Sequence, residues 1–415
     1  MDKKYTCIKY ACYTTSMTMS IVSNFTPLLF LTFRDLYNIS YSLLGLLVLV
    51  NFTTQLTIDL IFSFFSHRFN IPLTVKLIPV IAVVGMVIYA LSPFIFPGMV
   101  YLGIVIATII ISASSGLAEV LISPVIAAIP AKDPEHEMSK LHSMYAWGVV
   151  GVVIVSTVFL LVFGHENWQC LAAIFALVPL TSAILYAGAE IPEMQTPEKA
   201  TGAMQYLRNP VLWVCFAAIF VSGAAECTMG QWASSYLEQA LGIPKVFGDI
   251  FGVALFSAML GLGRSGYAKF GKNISRVLLL GAIGSAVCYF VAAISPFAVI
   301  GLIACALCGF CASMLWPGML IIAPERFPNG GVFIYAIMAA GGDLGASVVP
   351  QLVGIITDVA LTNPTFMDLA QTLSLAPDRF GMKLGLLIGM LFPLCGIPLF
   401  VRFVKESNKK KKEPI

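Results

Sequence analysis

Charge is scarce in this sequence. Asp, Glu, Lys and Arg make up 11% of its 415 residues, where a soluble globular protein carries roughly 25%. Hydrophobic residues make up 59%, and the mean hydropathy is +0.90. These proportions exclude a soluble globular protein and describe an integral membrane protein. The phosphate-cradling motif G-x-x-x-x-G-K-[ST], the metallopeptidase motif H-E-x-x-H and the nucleophile elbow G-x-S-x-G are also missing. Their absence argues against an enzyme and against a nucleotide-driven pump, and no cofactor is expected. No A-x-A-like site ends the first apolar stretch, which therefore reads as a membrane helix and not as a removable signal peptide. Most of the ten cysteines lie in apolar runs, as in CALCGFC (Cys305, Cys308, Cys311), with no histidine or acid nearby. They read as small helix-packing residues, so neither a metal nor a disulfide is expected. The net charge is only +3, and no nucleic-acid partner is expected.

What the chain has in abundance is long apolar runs. A bilayer-spanning helix needs about 20 mostly apolar residues. Twelve such runs occur, at roughly 8–32, 41–65, 73–92, 98–124, 140–163, 169–189, 210–236, 247–268, 275–294, 297–322, 331–357 and 382–403. No barrel-type alternation appears, so the spans are helices. Twelve spans put both termini on one side, and basic residues decide which. The termini and the loops on their side hold 20 of the 24 Lys and Arg, while Arg34, Lys245, Arg379 and Lys383 lie on the other. Both termini are predicted to be cytoplasmic, with the run Lys409 to Lys412 favouring anionic membrane lipid.

The polar stretch 189–210, AEIPEMQTPEKATGAMQYLRNP, separates the first six spans from the last six. The predicted organisation is a bundle at 1–188, a cytoplasmic linker at 189–210, a second bundle at 211–404 and a basic tail at 405–415. Ordered self-similarity links the halves: Pro124 with Pro317, Pro130 with Pro324, and Gly148 with Gly341. The expected fold class is thus an all-α membrane protein of twelve helices in two pseudo-symmetric six-helix bundles.

An ionisable group at bilayer depth costs roughly 2.5–3.5 kcal/mol on insertion scales, so it must face protein or a wet cavity. Glu119 is the only charge in the 55 residues between Lys76 and Lys132. It lies about eleven residues before the loop, near mid-membrane at 1.5 Å per residue. Glu226 is the only charge among the 29 residues Asn209–Leu237, and Asp343 the only one from Phe327 to Thr357. A carboxylate in low dielectric tends to bind a proton, which makes Glu119, Glu226 and Asp343 the candidates for coupling to protons. The alternative for each is a neutral acid hydrogen-bonded between helices. A polar solute wants carboxylates, amides and an aromatic plate. Asn24, Gln55, Glu119, Glu226, Gln231, Trp232 and Trp316 fit that chemistry, although each tryptophan can equally be a packing residue. Asn51, Gln55 and Asp59 recur every four residues and share one helical face. Asp59 and Arg264 lie near the cytoplasmic ends of their spans and are assigned to gating. His142 reads as a structural histidine.

Six plus six helices with cytoplasmic linker and termini resemble the major facilitator superfamily over essentially the whole chain. Four stretches are similar to the fucose–galactose–glucose:proton symporter branch. They are GLAEVLISP with Glu119 and Pro124, LHSMYAWGVVG (141–151), GAAECTMGQWASSYL with Glu226 and Trp232, and SMLWPGMLII with Trp316 and Pro317. Two departures stand beside the likeness. SFFSHRFNIP (63–72) keeps only Arg68 of the superfamily signature G-x-x-x-D-R-x-G-R-[RK], and the first span offers Asn24 where that branch carries an acid. The resemblance implies a monomeric secondary transporter of the cell membrane working by alternating access, with a site between spans 1, 4, 7 and 10. Its implied partners are a small solute, sugar-like by this branch, and protons or sodium, and Arg68 joins the gating residues. Two alternatives stay open: a proton-coupled exporter of drugs or metabolites, and a membrane receptor or lipid-handling protein without solute turnover.

Overall fold

The computed structural model describes residues 5–39, 41–194, 205–237, 241–242 and 245–410. Lys3, Lys4 and Lys199, residues 195–204 of the expected linker and 411–415 of the expected tail lie outside the described residues. The chain divides into two compact units, Met1–Arg208 with Arg326–Ala340, and Asn209–Glu325 with Gly341–Ile415.

Unit 1 is built from α1 (Thr6–Leu28), the short α2 (Phe30–Tyr37), α3 (Tyr41–Phe65), α4 (Ile71–Ile95), α5 (Val100–Ala128), α6 (Pro134–Phe163) and α7 (Trp168–Ala187). Unit 2 holds α8 (Pro210–Ser235), α9 (Lys245–Gly248), a π-helical turn (Asp249–Ala254), α10 (Leu255–Phe270), α11 (Ile274–Ile294), α12 (Ala298–Ala312) and α13 (Leu315–Arg326). The long α14 (Gly331–Thr362) follows, then the nine-residue α15 (Pro364–Thr372) and α16 (Pro377–Lys410). No strand occurs among the described residues.

Eleven helical segments among the described residues are long and apolar enough to cross a membrane, with the π-helical turn and α10 forming one of them and α12 and α13 together another. The expected first span is the exception. It divides at Leu29, just after Pro27, and α1 is too rich in Ser, Thr and Tyr to qualify as apolar. Three of those hydroxyls are buried and bond to neighbouring helices. Ser20 donates to the Tyr145 carbonyl at 2.6 Å and Ser16 to that of Leu141 at 3.2 Å, both on α6. Thr15 meets Ser182 of α7 at 2.7 Å. A buried hydroxyl without a partner costs about 1–3 kcal/mol, so this row of bonds fixes which face of α1 looks into the protein.

The helix starts follow from local chemistry. Asn70, Asp133, Asn209, Asn273 and Asn363 each cap a helix by accepting from a backbone N–H two or three residues on. In all but the α11 cap a proline occupies the first or second helical position, where its missing N–H costs nothing. Packing inside unit 1 rests on an aromatic knot in which Phe33 meets Trp168 edge-on at 5.0 Å and Phe25 meets Phe175 at 5.2 Å. The outward side chains are large and apolar, with Leu161 77% and Leu280 67% exposed. Apolar groups on the outside and hydroxyls within is the arrangement a hydrocarbon solvent demands.

Candidate functional site

In unit 2, three elements converge on one guanidinium. Glu226 of α8 is 8% exposed and Arg264 of α10 is 2% exposed. Arg264 Nη2 donates to both carboxylate oxygens of Glu226, at 2.7 and 2.8 Å. Its Nε donates to the carbonyl of Ser313 at 2.8 Å. That carbonyl is available for a covalent reason. Ser313 lies in the break between α12 and α13, and the residue four positions on is Pro317, which has no N–H to offer. α10 comes close enough because Gly263 faces Ser313; a Cβ there would lie 3.1 Å from the Phe310 carbonyl oxygen and would collide with the serine side chain.

Trp316, three residues past Ser313, fills a slot made by two glycines. A Cβ at Gly223 of α8 would lie 2.9 Å from the indole ring, and one at Gly342 of α14 would overlap it. Asp343, the next residue on α14, is 7% exposed. Trp232 lies further along α8, half-buried; its Nε1 donates to the Pro350 carbonyl at 3.0 Å, and its ring covers Gly354. Gln231, beside it, is exposed. The structure therefore brings Glu226 and Arg264 into contact and sets Trp316 and Asp343 on neighbouring positions of one packed core, with Trp232 spanning from α8 to α14.

In unit 1, Glu119 is half-buried on α5. Gly116, one turn earlier, packs on α3 at Gln55, whose side chain is buried; a Cβ at Gly116 would lie 3.1 Å from the Gln55 Cα. Ser112 of α5 donates to Asn51 of α3 at 2.6 Å. Asp59 is fully buried on α3, so the Asn51, Gln55 and Asp59 face predicted from spacing is turned toward protein. Asn24 donates within α1 to the Ser20 carbonyl at 2.9 Å. Ser123 and His142 lie 3.4 Å apart between α5 and α6. Arg68 is exposed in the turn after α3, with its guanidinium carbon 5.3 Å from the Phe65 ring centre.

One cluster has no counterpart in the sequence reading. Lys9, 9% exposed, pairs with Glu137 at 2.9 Å, and Tyr13 donates to the same carboxylate at 3.1 Å. Lys140 stands over the Tyr13 ring at 5.2 Å. Only the spacing Lys9 to Tyr13, one helical turn, could have signalled it. No group of three or more metal-ligating side chains occurs among the described residues.

An inward-facing row of hydroxyls, a buried ion pair between two long helices and an apolar exterior define a polytopic membrane protein. The chain belongs to the Major Facilitator Superfamily, whose family model matches residues 10–350. No curated protein sequence matches it. Among solved structures it is similar to the transporter FucP in the outward conformation, with 16% identity, a TM-score of 0.70, and coverage of 97% of this chain and 99% of that one. A variant of the E. coli fucose:proton symporter FucP aligns with 14% identity and a TM-score of 0.70 over 95% and 99% of the two chains. The proton:xylose symporter XylE bound to 6-bromo-6-deoxy-D-glucose aligns with 14% identity and a TM-score of 0.75 over 97% and 96%. At such identities the likeness concerns the fold.

Proposed function

We propose that this transporter is a secondary active symporter that imports a small polar solute, a sugar or a related metabolite, together with protons. The observation that carries the reading is Glu119, a half-buried carboxylate that is the only charge in 55 residues of sequence. A carboxylate in low dielectric is comfortable when neutral or beside a cation, so its state follows the driving ion. Further support comes from two proteins of similar fold, a fucose:proton and a proton:xylose symporter. Glu226, Trp232, Trp316, Asn24, Gln55 and Gln231 supply the carboxylate, aromatic and amide chemistry that hydroxyl-rich solutes need. Asp343 is a second candidate for the coupling proton, and Asp59, Arg68 and Arg264 are assigned to gating.

The test is uptake into proteoliposomes of purified protein. A panel of radiolabelled pentoses, hexoses and polyols is offered with an imposed pH gradient, an imposed sodium gradient or neither. Accumulation above the external concentration is expected under the pH gradient and is expected to vanish with a protonophore. Accumulation under sodium alone makes sodium the driver; no accumulation of any polar solute, with lipophilic compounds moving instead, overturns the reading in favour of an exporter.

The proposed orientation places both termini in the cytoplasm, from the basic residues on that side. Ser407→Cys, in a chain with no other accessible cysteine, is expected to resist a membrane-impermeant thiol reagent applied to intact cells and to react after permeabilisation. Labelling from outside reverses the topology.

A further inference from the structure

We propose that Arg264 is a latch on a hinge between α12 and α13, and that Glu226 sets the latch. The purpose of such a device rests on the transport reading above, while its geometry does not.

The hinge is written into the covalent chain. α12 ends at Ala312 and α13 begins at Leu315. Pro317 removes the N–H that would have closed the helical bond to Ser313, and its ring crowds the carbonyl four residues back. The helix therefore lacks one of its bonds at Ser313, which weakens it at this turn, and the Ser313 carbonyl needs a partner from elsewhere. The partner is Arg264 Nε, at 2.8 Å.

Glu226 holds the same edge of the guanidinium through the neighbouring Nη2. The group is planar and rigid, so Nε and Nη2 cannot be placed independently. While the carboxylate is charged and free to accept, charge-assisted bonds fix the plane and keep Nε on the carbonyl. An occupant that takes up the Glu226 charge or its hydrogen bonds loosens that edge, and the carbonyl loses its fixed donor. Trp316 transmits the result. It sits three residues past Ser313 in a slot between Gly223 and Gly342 that has no space for a single added carbon. Movement at the hinge therefore shifts the indole against α8 and α14 together.

The experiment is amide hydrogen exchange followed by mass spectrometry on the full chain in lipid nanodiscs. Arg264→Lys keeps a positive charge that can pair with Glu226 but has no Nε–H edge for the Ser313 carbonyl. Peptides covering 309–320 are expected to exchange roughly tenfold faster, the scale of one lost hydrogen bond to a charged group, while peptides from α3 to α5 stay as in the wild type. Glu226→Gln is expected to shift the same peptides in the same direction. Pro317→Ala restores the helical N–H, and in combination with Arg264→Lys it is expected to return exchange to within about twofold of the wild type. Unchanged exchange at 309–320 in Arg264→Lys overturns the proposal, as does an even rise across all helices that Pro317→Ala fails to suppress. Should Arg264→Lys yield no folded protein, Glu226→Gln decides alone, and wild-type exchange there overturns the latch. The readout needs no solute, so a failed uptake assay and a failed latch are separate results.

Discussion

Glu119→Gln is expected to abolish uphill, pH-driven accumulation of solute while leaving solute exchange across the membrane largely intact. Glutamine copies the shape and polarity of a protonated glutamate but has no proton to release. If the loaded carrier changes conformation only when Glu119 is neutral, the variant is fixed in the permissive state. It then shuttles loaded in both directions and equilibrates label without concentrating it. Net uptake against a gradient is expected to fall to the level of empty liposomes, and counterflow to stay within a few-fold of wild type. A variant that still concentrates solute under an imposed pH gradient would make Glu119 a hydrogen-bonding residue between helices and move the coupling role to Glu226 or Asp343.

The second large effect is expected at the ion pair of unit 2. Glu226→Ala leaves the Arg264 guanidinium, 2% exposed, without its carboxylate. Breaking a buried pair by removing one partner costs roughly 3–5 kcal/mol, because the remaining charge stays desolvated. Replacing both partners with apolar residues of similar volume is often nearly neutral. Glu226→Leu with Arg264→Met is therefore expected to recover most of the lost stability. The recovery should be incomplete by about 1–3 kcal/mol, the cost of the Ser313 carbonyl losing its donor. Denaturation midpoints in detergent measure the ordering wild type, double variant, single variant. Uptake measured on the double variant separates stability from function: the fold returns, and solute transport does not if Glu226 contacts solute or ion. A single variant as stable as wild type would show that Arg264 finds another counter-charge.

The membrane architecture was legible because hydrocarbon imposes a length and an apolar composition on every span. The apolar run at 41–65 is α3 to the residue, and 275–294 differs from α11 by one residue. Legibility failed where a helix continues beyond the apolar run. α6 starts at Pro134, six residues before the expected start, because Asp133 and Pro134 begin a helix whose first turns are polar. It failed again at α15, whose nine residues are too few for a span and too mixed for an apolar signal. Of the candidate site, the isolation of Glu226 was plain in the sequence, and so was the expense of leaving it ionised. Its partner was not, because Arg264 is 38 residues away on another helix and its position beside a basic loop points to the cytoplasmic edge. Lys9 is illegible as a paired residue for the same reason: Glu137, to which it is bonded, belongs to a polar run 128 positions later.

The hydroxyl row of α1 has a consequence for how the protein is made. α1 is synthesised before the helices that receive its hydrogen bonds. Ser16 and Ser20 reach carbonyls 125 residues further on, and Thr15 a serine 167 residues further on, beyond the bonds that Thr15 and Ser20 make within α1. Until α6 and α7 arrive, a helix this rich in hydroxyls has little reason to leave the insertion machinery for lipid. Its partition into the bilayer is therefore a collective event of the finished half, and a ribosome stalled before α6 holds a chain whose first helix is still uncommitted.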